Sequence, residues 1–312
     1  MVRFCSRRLA QSLPLLLLVT FVAFGLQTLA PVDPARMALT AGSTGVTVSN
    51  EQLAAKRAEL GLDRPVWRRY LSWVSGTIRF DFGNSYQSNR SVGLLMRERL
   101  LASVALAGLA WGISLAISIP LGLLIASRSG TWLDHAARFV TLTGASMPAF
   151  WIGLLGIWLF AAKLQWVPAL GSFTPRGIIL PALVLSLLPL SRLTRMVRAT
   201  AIEEHRRDFV TVARSKGLAS STIWRRHIAP NAIAPLISVI GLDLANLFAG
   251  AAVIESVFSW PGIGRLSVDA AATSDLPILM ALILIVGITT VALNLAADIA
   301  AALIDPRLRG GG

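Results

Sequence analysis

Six apolar runs, each near the length a helix needs to cross a bilayer, dominate the chain and leave few folds open to it. About 20 consecutive, predominantly apolar residues span the hydrocarbon core. Bounded by charge, Pro or Gly, such runs extend roughly from Leu9 to Ala30, Leu100 to Ala126, Ala136 to Ala162, Ile178 to Leu190, Ala232 to Ile254 and Leu276 to Leu303. The fourth is short and interrupted by Pro181 and Pro189. It reaches the required length by continuing toward Val197, with Arg192 and Arg195 snorkelling to its inner end. The predicted class is all-α: a polytopic membrane protein with six transmembrane helices. Arg3, Arg7 and Arg8 ahead of a run ending in Thr28-Leu29-Ala30 have the outline of a secretory signal, but the run exceeds a usual signal core and is read as a retained anchor.

Composition agrees. Hydrophobic residues make up 54% of the 312 and charged residues 14%, against about 25% charged in a soluble domain. Lys and Arg number 29 against 16 Asp and Glu, a net charge of +13. On a soluble protein that excess points to nucleic acid; so apolar a sequence builds no such surface, and nucleic acid is not an expected partner. The basic residues report sidedness instead. Arg3, Arg7 and Arg8, then Arg128, then nine basic residues from Arg192 to Arg226, then Arg307 and Arg309 all fall on one side of the six runs. That side is the cytoplasm, so both termini are predicted to be cytoplasmic. The 31–99 segment holds ten basic and six acidic residues, but long loops translocate largely regardless of charge. The single cysteine, Cys5, excludes a disulfide framework and cysteine-based metal sites.

Two loops carry structure of their own. In the outer one, Ser49 or Asn50 caps a helix bearing Leu53, Ala54 and Leu60 and ending at Gly61, and a second helix from Pro65 carries Trp67, Tyr70, Leu71 and Trp73, aromatics suited to a membrane interface. In the inner one, Glu203, Glu204 and Asp208 precede Arg214 and Lys216, the charge order that complements a helix dipole, and Gly217 supplies the left-handed stop. Ser220 or Ser221 then caps a short helix through Arg226, which Pro230 closes while opening the fifth span. A helix, glycine turn, helix unit results, with Phe209, Val212 and Ala213 as its apolar side.

This loop resembles the cytoplasmic signature of ABC-transporter permeases, E-A-A, three residues, Gly, nine residues, I-x-L-P. Ala213, Gly217 and Pro230 are in register; Thr211 and Val212 replace the first two positions, and His227 and Ala229 stand for Ile and Leu. Asp208-Phe209-Val210, Ala213 to Leu218, Arg226-His227-Ile228 and Asn231-Ala232 are similar to the branch for dipeptides, oligopeptides and nickel, as are Asp81 to Ser85, Ser146-Met147-Pro148, Trp166 to Ala169 with Gly171, Glu255, Phe258, Trp260 to Gly264, and Asp305-Pro306-Arg307. The resemblance implies a type I importer permease in the bacterial inner membrane, forming half of a peptide pathway. It implies a second homologous permease, two ATPase subunits and an extracytoplasmic binding protein as partners. ATP and Mg are expected on the ATPases: this chain has no G-x-x-x-x-G-K-[ST] loop, and no cofactor or enzymatic activity of its own is expected. Phe209, Ala213, Arg214, Lys216, Gly217 and Pro230 become candidates for ATPase coupling.

The organisation expected is an anchor helix with an outer helical loop over 1–99, a permease core over 100–304 with the coupling loop at 198–230, and a tail at 305–312. Glu255, Phe258, Trp260, Pro261, Gly262 and Gly264 form a turn-rich segment read as a gate or binding-protein contact, or as a turn that caps the bundle. Asp243 and Asn246, three apart in the fifth span, are candidate pathway residues; Asn294 and Asp298 in the sixth read as structural. His135, His205 and His227 lack metal-ligand spacing. A nickel or metal-chelate importer is an alternative reading. An ATP-independent secondary transporter would show inverted repeats, and an intramembrane enzyme would need a partner for Asp243.

Overall fold

The computed structural model describes residues 14, 16–25, 28, 33–40 and 48–304. The readings of Cys5, of the N-terminal arginines and of the 305–312 tail lie outside these residues. Among the described residues the regular structure is helical, with one isolated antiparallel bridge between Asn84 and Ser91. An apolar helix α1 (Leu16–Gly25) is followed by α2 (Pro34–Thr40), α3 (Asn50–Glu59) and α4 (Val66–Ile78), then α5 (Val92–Ser127), α6 (Trp132–Ser146), α7 (Ala149–Gly156) and α8 (Pro175–His205). The rest comprises α9 (Asp208–Ser215), α10 (Ser220–Ile223), α11 (Ala229–Ile233), α12 (Ile237–Gly250), α13 (Ala252–Val257), α14 (Ile263–Ala272) and α15 (Leu276–Ile304).

Among the described residues α5, α8 and α15 are each long and apolar enough to cross a membrane, and counting each of two bent helix pairs as one span brings the number to five. The fourth apolar run is the middle of α8, which continues through Pro181 and Pro189 and reaches the length the sequence required. The third run is not one straight helix. Its two halves meet at 99°, because Pro148 cannot continue a helix and drives the residue before it out of the helical region: Met147 is extended, at φ −86° and ψ 137°. The fifth run bends by 48°. Here Pro230 does not close a helix, as the sequence had suggested, but sits inside a continuing helical path. A π turn over Trp224–Ile228 precedes it, with the Ala229 N–H donating to Trp224 O. Pro230 thereby falls in the first turn of α11, where its missing N–H costs nothing.

The chain divides into two compact units. In the unit of Val104–Trp260 and 292–304, α5 and α8 approach closely at Gly122, where a Cβ would stand 2.7 Å from that of Val197. Ala126, Ala201, Val210, Ala213, Ile223, Ile228 and Ala232 form one buried cluster joining α5, α8, α9, α10 and α11.

The other unit takes in the described residues up to 103 and Pro261–Val291. Ser49 and Gln52 make a reciprocal capping box at the start of α3, and Gly61, at φ +63°, ends it by donating to Ala58 O while Leu62 donates to Arg57 O. Arg57 donates twice to Asp33 Oδ2, at 2.6 and 3.0 Å. Burial alone would raise the Asp33 carboxyl, but the Arg57 guanidinium holds it below the usual carboxylate range. Tyr70 reaches α1, with its hydroxyl 3.0 Å from Thr20 Oγ1 and its ring edge-on to Phe21 and Phe24. Asp275, just before α15, accepts from Ser85 Oγ at 2.6 Å and from the N–H groups of Tyr86 and Gln87 at 3.3 Å. This explains the Asp81 to Ser85 wording: the stretch leads into a loop held on one buried carboxylate. Asp275→Ala is expected to cost about 2–3 kcal/mol, the desolvation left by unpaired donors, and to accelerate hydrogen exchange selectively at residues 83–91.

Candidate coupling site

The charge order from Glu203 to Lys216 reads as one helix ended by Gly217; the structure splits it. α8 stops at His205, a two-residue turn follows, and Asp208 opens α9, its negative charge on the positive helix end. α9 ends as the glycine requires. Gly217, at φ +76°, donates to Arg214 O at 2.9 Å, and Leu218 donates to Ala213 O at 3.2 Å, the paired bonds of a Schellman stop. Along α9, Val210 and Ala213 face the buried cluster and Phe209 packs partly against it. Val212, read from sequence as part of that apolar side, points outward with Thr211 and Ser215. Helical periodicity explains the split, since 209, 210 and 213 share an arc that 212 leaves.

The exposed residues of the helix–turn–helix segment therefore include Val212 and Leu218 together with the cations Arg214, Lys216, Arg225 and Arg226. Arg214 Nη2 lies 2.9 Å from His205 Nε2. An arginine only donates, so this ring nitrogen accepts. The His205 ring stacks on Trp224, at 5.2 Å and 21°. Trp224, half-buried against the cluster, thus holds His205, and His205 aims Arg214. Arg207 pairs with Glu204 at 3.1 Å across the turn.

The turn-rich segment is divided between the units. In the first, Glu255, Phe258 and Trp260 are fully buried. Beyond the end of α13, Ser259 adopts φ +53°, and the Trp260 N–H donates to Glu255 O at 2.7 Å. Phe258 O accepts from the Gly171 N–H, the Phe258 ring lies against Gly153, and the Trp260 ring meets Phe173 at 5.8 Å. A Cβ on Gly171 would stand 2.9 Å from Phe258 O, which is why the Trp166 to Gly171 stretch carries glycine there. Both aromatics are interior packing groups, not surface anchors. In the second unit, Gly262 is buried with extended backbone at the start of α14, and Pro261 and Gly264 are half-buried.

Two ion pairs lie along α8. Arg198 donates to both oxygens of Asp134, at 2.7 and 2.6 Å, and the Gly130 N–H adds a third bond at 3.0 Å. Six residues earlier, Arg192 pairs with Asp243 of α12. The sequence had left Asp243 without a partner and sent Arg192 to the membrane surface; the structure brings them together. Asn246, one turn further along α12, is exposed while Asp243 is buried, so the two do not share surroundings. Asn294 Oδ1 is buried without a hydrogen bond, and the Asp298 side chain lies outside those described. No group of three metal-ligating side chains comes together among the described residues.

A family model for the inner-membrane component of binding-protein-dependent transport systems matches residues 118–310, and the model for the N-terminal part of such components matches residues 1–107. The chain belongs to this permease family. Relatives match along their whole length. A protein of Brucella suis biovar 1 (strain 1330) named as a peptide permease is 34% identical over 320 residues, 99% of each chain. The dipeptide transport system permease protein DppB of Escherichia coli (strain K12) is 32% identical, again over 99% of each, and that of Alkalihalophilus pseudofirmus is 30% identical over 99% of this chain and 100% of its own. Among solved structures, a chain of the inward-facing MetNI methionine ABC transporter superposes with a TM-score of 0.58 at 17% identity, covering 68% of this chain and 97% of that one. This last likeness establishes the fold alone.

Within this permease, His205, Trp224 and Arg192 are the candidate functional residues that sequence reasoning did not select. His205 and Trp224 stand far apart in sequence and carry no shared motif; only the return of the chain through α10 stacks them. Arg192 had a signal, a cation in the stretch by which the fourth span reaches its length, which the snorkelling reading assigned to the membrane surface.

Proposed function

We propose that this chain is one of two permease subunits of an ATP-driven importer in the bacterial inner membrane, forming half of a pathway for short peptides handed over by an extracytoplasmic binding protein. In this reading the six apolar runs are six spans, both termini are cytoplasmic, residues 1–99 are anchor and outer cap, and 100–304 is the translocating core. ATP and Mg bind on two partner ATPases, and the permease has no catalytic centre.

The observation that carries this reading is the construction of the α9–Gly217–α10 unit. It presents Val212, Leu218, Arg214 and Lys216 outward, while its inner face shares one buried cluster with α5, α8 and α11. A partner that grips the outer face moves three span helices together. A rigid unit of this kind transmits a displacement, because close-packed interiors do not absorb it. Nucleotide and peptide then act on one equilibrium, each favouring one conformation.

Reconstitution into proteoliposomes with the second permease, the two ATPases and the binding protein tests the reading. ATP-dependent accumulation of a labelled dipeptide is expected, and nickel accumulation in its place would move the chain to the metal-chelate alternative. Copurification with the ATPases is expected; active transport by the permease without them would overturn the proposal.

The 255–264 segment is our candidate for a gate or binding-protein contact, with Glu255, Phe258 and Trp260 in one unit and Pro261, Gly262 and Gly264 in the other. Gly262 is buried, so Gly262→Leu is expected to reduce uptake at least tenfold with membrane insertion intact. Unchanged uptake in that variant removes the gate.

A further inference from the structure

We propose that Arg192 is the carboxylate-binding group of the pathway, held in reserve by Asp243 and exchanged onto the peptide's C-terminal carboxylate as cargo passes. The inference rests on the peptide-permease reading above and adds a binding site to it.

Depth comes first. Arg192 lies 13 residues before the end of α8, and Asp243 lies 13 residues after Pro230. At 1.5 Å per residue Arg192 is about 20 Å along α8 from its inner end, in the stretch by which the fourth span continues past Leu190, and Asp243 lies within the fifth apolar run, on α12. A charged side chain at such depth faces protein or a water-lined cavity, not lipid.

The two ion pairs on α8 then differ in a way that separates a strut from a site. Arg198–Asp134 is complete: both carboxylate oxygens are used, a backbone N–H adds a third bond, and the Asp134 side chain is 1% exposed. Nothing there is left for a ligand. In Arg192–Asp243, the carboxylate is 4% exposed, yet its Oδ2 is buried without a hydrogen bond, while the Arg192 side chain is 42% exposed. The arginine thus has donors open to its surroundings, and its counter-ion binds it through one oxygen. A buried carboxylate with one oxygen unsatisfied gives up part of the attraction that offsets its desolvation. Such a pair exchanges partners at lower cost than a complete one.

The chemistry of the open side selects the ligand. A guanidinium presents a planar fork that matches a carboxylate through two parallel bonds. Every peptide with a free C-terminus carries that carboxylate, whatever its side chains, so one arginine would serve a cargo class of varied sequence.

The test uses the assembled permease–ATPase complex without binding protein, titrated with dialanine, N-acetyl-dialanine and dialanine amide while the thermal midpoint is followed. The first two are expected to bind in the wild-type complex and the amide, which lacks the carboxylate, is not. Arg192→Gln is expected to weaken both acids at least tenfold. Arg192→Lys, which keeps the charge and loses the fork, is expected to weaken them about three- to tenfold and serves where the Gln variant does not assemble. Asp243→Asn, which removes the competing carboxylate, is expected to tighten both. Equal binding of the amide, absence of binding by the acids in wild type, or affinities within twofold of wild type in both Arg192 variants would overturn the proposal. Dipeptide uptake by the complete wild-type system separates the levels: uptake without carboxylate selectivity at Arg192 removes this inference alone, while absence of uptake removes the reading beneath it.

Discussion

Gly217→Val is expected to lower ATP-dependent uptake by at least tenfold while the permease still inserts and is recovered in normal amount. The position adopts φ +76° and has nothing within 4 Å of where a Cβ would stand, so the defect is conformational, not steric. An L-residue in the left-handed region costs roughly 1–2 kcal/mol, and a β-branched side chain is the worst case. Two bonds depend on that conformation, Gly217 N–H to Arg214 O and Leu218 N–H to Ala213 O. Losing them frays the end of α9 that carries Arg214, Lys216 and Leu218. Gly217→Asn supplies the control, because asparagine visits the left-handed region readily. It is expected to keep uptake within about threefold of wild type, with Gly217→Ala between the two. The measurement is uptake and ATP hydrolysis per complex in the same vesicles. Equal uptake in the Val and Asn variants would show that the turn does not participate in coupling.

The second large effect concerns stability. Asp134→Ala removes the acceptor of three hydrogen bonds and leaves Arg198, whose side chain is 21% exposed, with its charge uncompensated. Removing one partner of a buried pair costs about 3–5 kcal/mol, and a correspondingly large drop in the thermal midpoint is expected. The double variant Asp134→Leu with Arg198→Met is expected to recover most of the loss, because replacing both ions by apolar groups is commonly near neutral. Failure of the double variant to recover would place the importance of the pair in the orientation of the Arg128–Thr131 turn, whose Gly130 N–H also binds Asp134.

Much of this was legible along the chain. The apolar runs marked the helices that are now α5, α8 and α15, and Gly61 and Gly217 both mark left-handed stops where the pattern placed them. Of the two cap candidates, Ser49 and Asn50, the structure uses Ser49. These features are local, each decided by a few neighbouring residues, so spacing alone carries them. Prolines were read less well, for a physical reason. Pro148 breaks its run by 99°, Pro181 and Pro189 are absorbed in α8, and Pro230 is accommodated after a π turn. The same ring is tolerated or not according to whether neighbouring groups satisfy the carbonyls it leaves free, and that is a property of surroundings.

The site shows the same division. Ala213 and Gly217 were recognisable by register, and the outward turn of Val212 follows from where the cluster of Ala201, Ile223 and Ile228 stands. The burial of Phe258 and Trp260 depends on Gly153, Gly171 and Phe173 arriving from elsewhere in the chain. Sequence by itself determined the class, the helical runs, the excess of nine basic over three acidic residues between Arg192 and Arg226, and the glycine turn within that stretch. Only the tertiary structure decided what those charges do. It closes Arg198 on Asp134, aims Arg214 through His205, and leaves Arg192 half-committed to Asp243. Charge is written in the residue, but desolvation and partnership come from elements far apart in sequence, and they set whether an arginine is a strut, a docking contact or a binding group.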